Sequence, residues 1–474
     1  MSIAKADANP TKSFFVRMLT RDISLDDCIL DLVDNSIDGA WEMSGDTPSL
    51  TESTVLGKFS VDITISAESF AIQDNCGGIT LDDAVDYAFT FGRRDEPEEL
   101  DSAKSQEASG DTVDKTETTE TTETREPYSV GVYGIGMKRA IFKIGRSITI
   151  RSTYADGPDG SRASFVVPIE VEEWLADNDP RWDFPIDETE HLDDPGVRIE
   201  IGGLSVETAN RFADPAYLAE LRAVLARDYM LPMMHGLVVR VNEIPVPARR
   251  VNLRRGDAFQ PMRDSYRDGE VTVELLAGMG APPPDENSPD ESDKAEMASG
   301  WYVLCNGRVV LAADTSSITG WGGDLPKWHG QYTGFAGLIL FTSPHAFLLP
   351  MTTTKRGVDV SAGVYLRARA RMIQPARAWI DYTNARKQDL EDAKKLEQAS
   401  QAQPVTEVAP RPIVELPTLT KRPGERPANI NFARQVRRVR ALAEGFGDSN
   451  MTYRDVGIES FEYAYKMLAD EDDE

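Results

Sequence analysis

The chain has 474 residues, 41% of them hydrophobic, and a formal net charge of −28. That length supports two or three domains with cores of their own, and the acidity excludes a general nucleic-acid coat, because phosphate binding needs a basic surface. No run of about eighteen apolar residues occurs, the N-terminal MSIAKADANPTKSFF lacks a signal-peptide core, and Cys28, Cys76 and Cys305 stand far apart in no metal spacing. A cytoplasmic protein with no membrane span, disulfide frame or zinc site is expected.

In chain order, Ser24 is the expected N-cap of a helix with acids in its first turn. Within it, Ile29–Ala40 (ILDLVDNSIDGA) has two faces. Ile29, Leu32, Val33, Ile37 and Ala40 form an apolar stripe, while Asp31, Asn35 and Asp38 fall together on the other side. Two carboxylates and an amide make an oxygen-rich face that suits magnesium and an activated water, although solvated acidic faces are common on surface helices. Phe59–Ile72 alternates as two antiparallel strands turning near Ala67-Glu68-Ser69. It runs into Asp74-Asn75-Cys76-Gly77-Gly78-Ile79, which is either a plain glycine turn or a place where a ligand meets backbone closely. A helix is expected near Leu81–Ala88.

Residues 93–127 are rich in Thr, Glu, Asp and Ser, carry the near-repeat TETTETTET, and are expected to be disordered. Gly131-Val132-Tyr133-Gly134-Ile135-Gly136-Met137-Lys138 then leads into an apolar helix. Glycines at a helix mouth let backbone amides reach a phosphate, but the spacing is neither a Walker A loop nor a dinucleotide fingerprint. Strands are expected at 148–152, 163–169, 197–201, 237–246, 270–276, 301–311 and 334–341, with a helix at 218–229. Residues 361–403, interrupted only by Pro375, read as one long or kinked helix. Residues 404–428 read as a proline-rich linker and 429–474 as a small helical module. Arg249-Arg250, Arg254-Arg255 and Arg434, Arg437 and Arg438 are the local basic clusters, the last three expected on one helix face.

The order of DLVDNSIDGA, IQDNCGGI, FTFGRR and GVYGIGMK, with a lid-length gap before the last, resembles the ATP-binding domain of the GHKL superfamily (gyrase B, Hsp-ninety chaperones, histidine kinases, MutL). The likeness is nearest to MutL and MORC-like ATPases. It covers residues 12–205 strongly and extends loosely to LPMTTTKRG, which looks like the lysine-bearing loop of a transducer domain. The resemblance implies a Bergerat-fold α/β sandwich over 1–205 with an acidic lid insertion at 93–127. A transducer-like α+β domain over 206–360 and the helical C-terminal regions would follow. It implies ATP and Mg2+ as ligands. Asn35 would hold the metal, Asp74 would take the adenine amino group, and Gly77, Gly78 and Ile79 would border the base. Gly131, Gly134, Gly136 and Lys138 would surround the phosphates, Asp38, Ile135 and Met137 would also belong to the nucleotide site, and Lys355 would reach the γ-phosphate.

Three positions depart from the family pattern. Asp31 stands where the base is usually glutamate, with Asp34 the alternative. Cys76 replaces a glycine, and Val197 stands where a threonine often follows glycine. The function implied is Mg-dependent ATP hydrolysis driving lid closure and a transient homodimer, in a DNA-related, repair or defence process. The alternatives are a non-hydrolysing ATP switch and a chaperone-like ATPase. A histidine kinase is disfavoured, because none of His191, His235, His329 and His345 has a helical phospho-acceptor setting.

Overall fold

The computed structural model describes residues 11–51, 54–90, 128–131, 134–157, 160–177, 182–284, 299–419 and 430–468. The chain divides into two compact units, Met1–Thr420 and Lys421–Glu474. The expected lid insertion, 93–127, lies outside the described residues.

In the first unit, helix α1 (Lys12–Arg21) precedes α2 (Leu25–Ser44). Ser24 caps α2 as its spacing predicts: its hydroxyl accepts from the Asp27 N–H at 3.0 Å, and Asp26 and Asp27 face the positive end of the helix dipole. Gly45 closes the helix in the left-handed conformation (φ 69°). Strands β1 (Ser60–Ile65) and β2 (Phe70–Asp74) form the expected antiparallel pair, with Val61, Ile63 and Ile65 buried in alternation. Beyond them Leu81–Asp83 is α-helical and Ala84–Ala88 is π-helical. Helix α3 (Gly136–Ile144) packs against α2, and its apolar face, Ala140, Ile141 and Ile144, is buried.

Strands β3 (Ser147–Ala155), β4 (Arg162–Glu170), β5 (Asp187–Glu188), β6 (Gly196–Gly202), β7 (Val238–Val241) and β8 (Ile244–Pro245) complete an eight-stranded mixed sheet. Its order is β5-β4-β3-β6-β2-β1-β7-β8, parallel only between β1 and β7. Helix α4 (Pro215–Asp228) leads into the first core, which gathers α2, α3 and the inner side of this sheet.

The second sheet has the order β10-β11-β14-β12-β13, with β10 Met262–Asp268, β11 Val271–Met279, β12 Gly300–Cys305, β13 Arg308–Asp314 and β14 Phe335–Thr342. Every residue of β12 and β14 is buried, because both faces are covered. Val303, Ile339 and Phe341 meet helix α5 (Gly363–Arg386), whereas Tyr302, Leu304 and Leu338 meet Met230, Leu231 and Leu50.

The expected single helix over 361–403 is in fact two. Pro375 sits inside α5, and the break falls after Arg386, before α6 (Leu390–Ala399), where Asp389 provides a new N-cap. Glu397 of α6, buried, accepts from Arg386 Nε (2.7 Å) and the Tyr382 hydroxyl (2.5 Å), which folds α6 back on α5. Nor are residues 404–419 a free spacer. Strand β15 (Gln401–Pro404) pairs with β9 (Asn252–Arg255), Gln260 and Arg263 bridge Glu415 and Arg411, and Val405, Val408 and Val414 are buried.

The second unit contains α7 (Val436–Gly445) and α8 (Tyr453–Leu468), with Ala443 and Val456 buried. Arg434 precedes the helix, whose N-cap is Gln435, so Arg434, Arg437 and Arg438 do not share one helical face as expected.

Candidate functional site

A cleft of about 940 Å³ opens in the first unit. Of the residues singled out in the sequence, Asp31, Asn35, Asp38, Asp74, Gly78, Ile79, Gly131, Gly134, Ile135, Gly136, Met137, Lys138 and Lys355 all line it. Gly77 does not: it turns away at φ 110°, beside the Met43 side chain.

One end is built on Asp74, at the end of β2. Its buried carboxylate accepts from the Ser36 hydroxyl (2.7 Å) and the Cys76 (3.0 Å) and Val197 (3.2 Å) N–H groups. Burial raises its pKa even against these three donors. The side chain at 197 therefore plays no part in holding Asp74; the backbone does, and Ser36, one turn below Leu32 on α2, supplies the hydroxyl. Gly78 adopts φ 77°, and a Cβ there would stand under 3.0 Å from the Thr153 carbonyl oxygen. Ile79 is pinned next to it, its N–H donating to Ser152 Oγ at 2.7 Å.

At the other end, α2 presents its acids in three different states. Asp31, 4% exposed, receives Arg139 through Nε (2.8 Å) and Nη2 (2.7 Å) on one oxygen and Lys355 (3.3 Å) on the other. Gly136 leaves room for that carboxylate, since a Cβ would lie 3.3 Å from its Cγ. Asp34, 1% exposed, takes Lys355 Nζ at 2.8 Å, the Tyr229 hydroxyl at 2.8 Å and Arg308. Burial opposes its ionisation, but Arg308 and Lys355 together outweigh burial and hold the carboxyl below its ordinary range. Asp38 accepts from the Val130 N–H (3.0 and 3.1 Å) and from Ser129 Oγ (2.9 Å). With burial and the Asp34 charge against it, its pKa is pushed up to about 7. Asn35 alone in this row is exposed, within the cleft.

The two lysines behave differently from one another. Lys138 is buried and gives its ammonium to the carbonyls of Thr90 and Gly134. Burial lowers its pKa to about 8. It ties the glycine turn to the segment before 91 and does not project into the cleft as a free point charge. Lys355 is held in a left-handed backbone (φ 56°), unusual for a side-chain-bearing residue, and that twist aims it from the 352–357 loop at Asp31 and Asp34. Burial acts to lower its pKa, and the two aspartates override that and raise it.

Sequence reasoning missed Arg139, Ser36, Ser129, Tyr229 and Arg308. Arg139 follows Lys138 directly and could have been weighed as the cation for Asp31. Arg308 and Tyr229 carry no local signal. Compared with known proteins, the chain matches no family model and no curated relative. Among the described residues no helix is long and apolar enough to cross a membrane.

Proposed function

We propose that the chain is a Mg-dependent ATPase of the GHKL type, with a Bergerat-fold nucleotide domain over 1–205 and a transducer-like domain over 206–360. The observation that carries this reading is convergence. The helix with Asp31 and Asn35, the Asp74–Ile79 turn, the Gly131–Lys138 turn and Lys355 border one cleft, although Asp31 and Lys355 are 324 residues apart.

Asp74, anchored by three donors, would accept the adenine amino group, with Gly78 keeping backbone clear of the base. Main-chain N–H groups at Gly134 and Gly136 would face the phosphates, with Gly131, whose N–H is given to Ser129 Oγ at 2.9 Å, leading into the turn. Lys138 serves the turn itself, through two carbonyls. The donors fit magnesium in one particular way. No group of three His, Cys, Asp or Glu among the described residues could cage a metal, while Asn35 offers an exposed amide oxygen. That suits a cation held mostly by phosphate oxygens and water, and its chemistry would be to neutralise phosphate charge. Asp31 would receive the proton of the attacking water, and Lys355 would leave its aspartates for the γ-phosphate. Lid closure, a transient homodimer and a DNA-related, repair or defence role belong to the same proposal. Exposed Arg437, Arg438 and Arg440 on α7 supply the positive charge that a nucleic acid would need.

One observation favours a second reading, a switch that binds ATP without turnover: both oxygens of Asp31 are already occupied by Arg139 and Lys355. The test is MgATP binding and hydrolysis by the full chain beside Asn35→Ala, Asp31→Ala and Asp31→Glu, with mass in solution followed on adding a non-hydrolysable analogue. Turnover lost in Asn35→Ala and Asp31→Ala, with dimer formed by the analogue, supports the ATPase. Binding without turnover, recovered in Asp31→Glu, supports the switch. Absence of nucleotide binding refutes both.

A further inference from the structure

The turn that joins β12 to β13 is Asn306-Gly307, and these two residues and Arg308, the first of β13, each reach elements that border the cleft. Asn306 is fully buried at φ 44°. Its Nδ2 donates to the Ser129 carbonyl and to the Ser343 carbonyl, both at 2.8 Å, while its Oδ1 accepts from the Ser343 N–H at 3.0 Å. Ser129 and Val130 are held on their other side by Asp38 of α2. The entrance to the glycine turn is thus clamped between α2 and the second sheet. Gly307, at φ 90°, packs beside Trp41 of α2: a Cβ would lie 3.6 Å from its indole nitrogen. Arg308 grips Asp34 and the Tyr229 hydroxyl, with Asp228 at 4.0 Å, and that hydroxyl also donates to the Leu30 carbonyl at 2.8 Å.

A hairpin tip needs none of this to be stable. Apolar residues would bury against α2 at less desolvation cost than an arginine, an asparagine and an aspartate. What the polar set adds is direction: hydrogen bonds fix angle and height, where apolar contact tolerates sliding. We infer that the Asn306–Arg308 hairpin is a positioning element for the proposed nucleotide site. It sets the orientation at which α2 carries Asp31 and Asn35, and the path by which Ser129–Gly131 enters the glycine turn. The geometry at the phosphate end then follows the second sheet through this hairpin, separately from Lys355. The inference rests on the nucleotide reading for its functional part only.

Asn306→Gly tests it, since glycine accepts φ 44° without strain and removes all three side-chain hydrogen bonds. Asn306→Asp is the second variant: it tolerates the same backbone and keeps the acceptor for the Ser343 N–H, but loses both donations, to the Ser129 and Ser343 carbonyls. In the full chain, amide exchange at Val130 and Gly131 is expected to accelerate in both variants, without nucleotide. The turnover number for MgATP is expected to fall about tenfold or more through misplacement of reacting groups, with KM changing less than about threefold because the Asp74–Gly78 end is untouched. Unchanged exchange at Val130 and Gly131 in folded variants overturns the inference. So does faster exchange with an unaltered turnover number, which would leave the hairpin as packing alone. If the wild-type chain neither binds nor hydrolyses ATP, the nucleotide reading fails and the positioning of catalytic groups fails with it, while the exchange result still decides whether the hairpin holds Ser129–Gly131.

Discussion

Replacing Arg308 with methionine removes a buried cation that joins the second sheet to Asp34 of α2. The pair is deep, Arg308 being 3% and Asp34 1% exposed. Removing one partner of such a pair costs about 3–5 kcal/mol, since the other is left uncompensated. Lys355, 2.8 Å from Asp34, and the Tyr229 hydroxyl remain, so the lower end, about 3 kcal/mol, applies. At about 2.1 cal/mol/K of unfolding entropy per residue, a unit of roughly 400 residues loses about 4 °C in Tm.

The sign of the pH dependence is the sharper part of this prediction. In the wild type the Asp34 pKa is lowered, so its contribution is present above the unfolded carboxylate value and lost as pH falls through the folded one. Without Arg308, one of the two cations that outweigh burial is gone, so the pKa moves up toward the unfolded value and this contribution shrinks. The gap between wild type and variant should therefore be widest near pH 8 and narrow toward about pH 3, as read by thermal or urea unfolding at each pH. Arg308→Lys should recover part of the loss at pH 8. A gap that is equal at both pH values would refute the charge-pair argument and leave Arg308 as a space-filling side chain; no loss of stability would refute the burial argument as well.

Two further outcomes follow from the cleft. Gly78→Ala puts a methyl under 3.0 Å from the Thr153 carbonyl at a backbone φ of 77°, so affinity for a fluorescent ATP analogue should drop by about tenfold or more while the chain stays folded; unaltered affinity would move the base away from Gly78. The raised pKa of Asp38, about 7, means its contribution to stability is present below the ordinary carboxylate value and lost as pH rises through about 7. Asp38→Asn should consequently match the wild type only below about pH 4 and exceed its Tm at pH 8, and a variant less stable at pH 8 would contradict this.

Much of the arrangement follows from local sequence. The Ser24 cap, the stripe at Ile29, Leu32, Val33, Ile37 and Ala40, and the alternation in β1 are signals carried within three or four residues or at period two, so α2 and the β1–β2 pair could be read directly. The same stretch places Asp31, Asn35 and Asp38 on one face, and the order of the glycine turns brought them into one expectation. Tertiary structure decided the rest. Strands β12 and β14 show no alternation because both faces are covered, and residues 404–419 look like a spacer because their partners at β9 and β10 lie about 150 residues earlier, as in Ser400 with Arg254 at a separation of 146. Lys138 turns inward to two carbonyls, which a glycine-rich string cannot announce. Above all, Asp34 meets Arg308 across 274 residues and Lys355 across 321. No periodicity encodes such pairings. They arise when two independently formed surfaces bury polar groups that water would otherwise have solvated, and only matched partners make that burial tolerable.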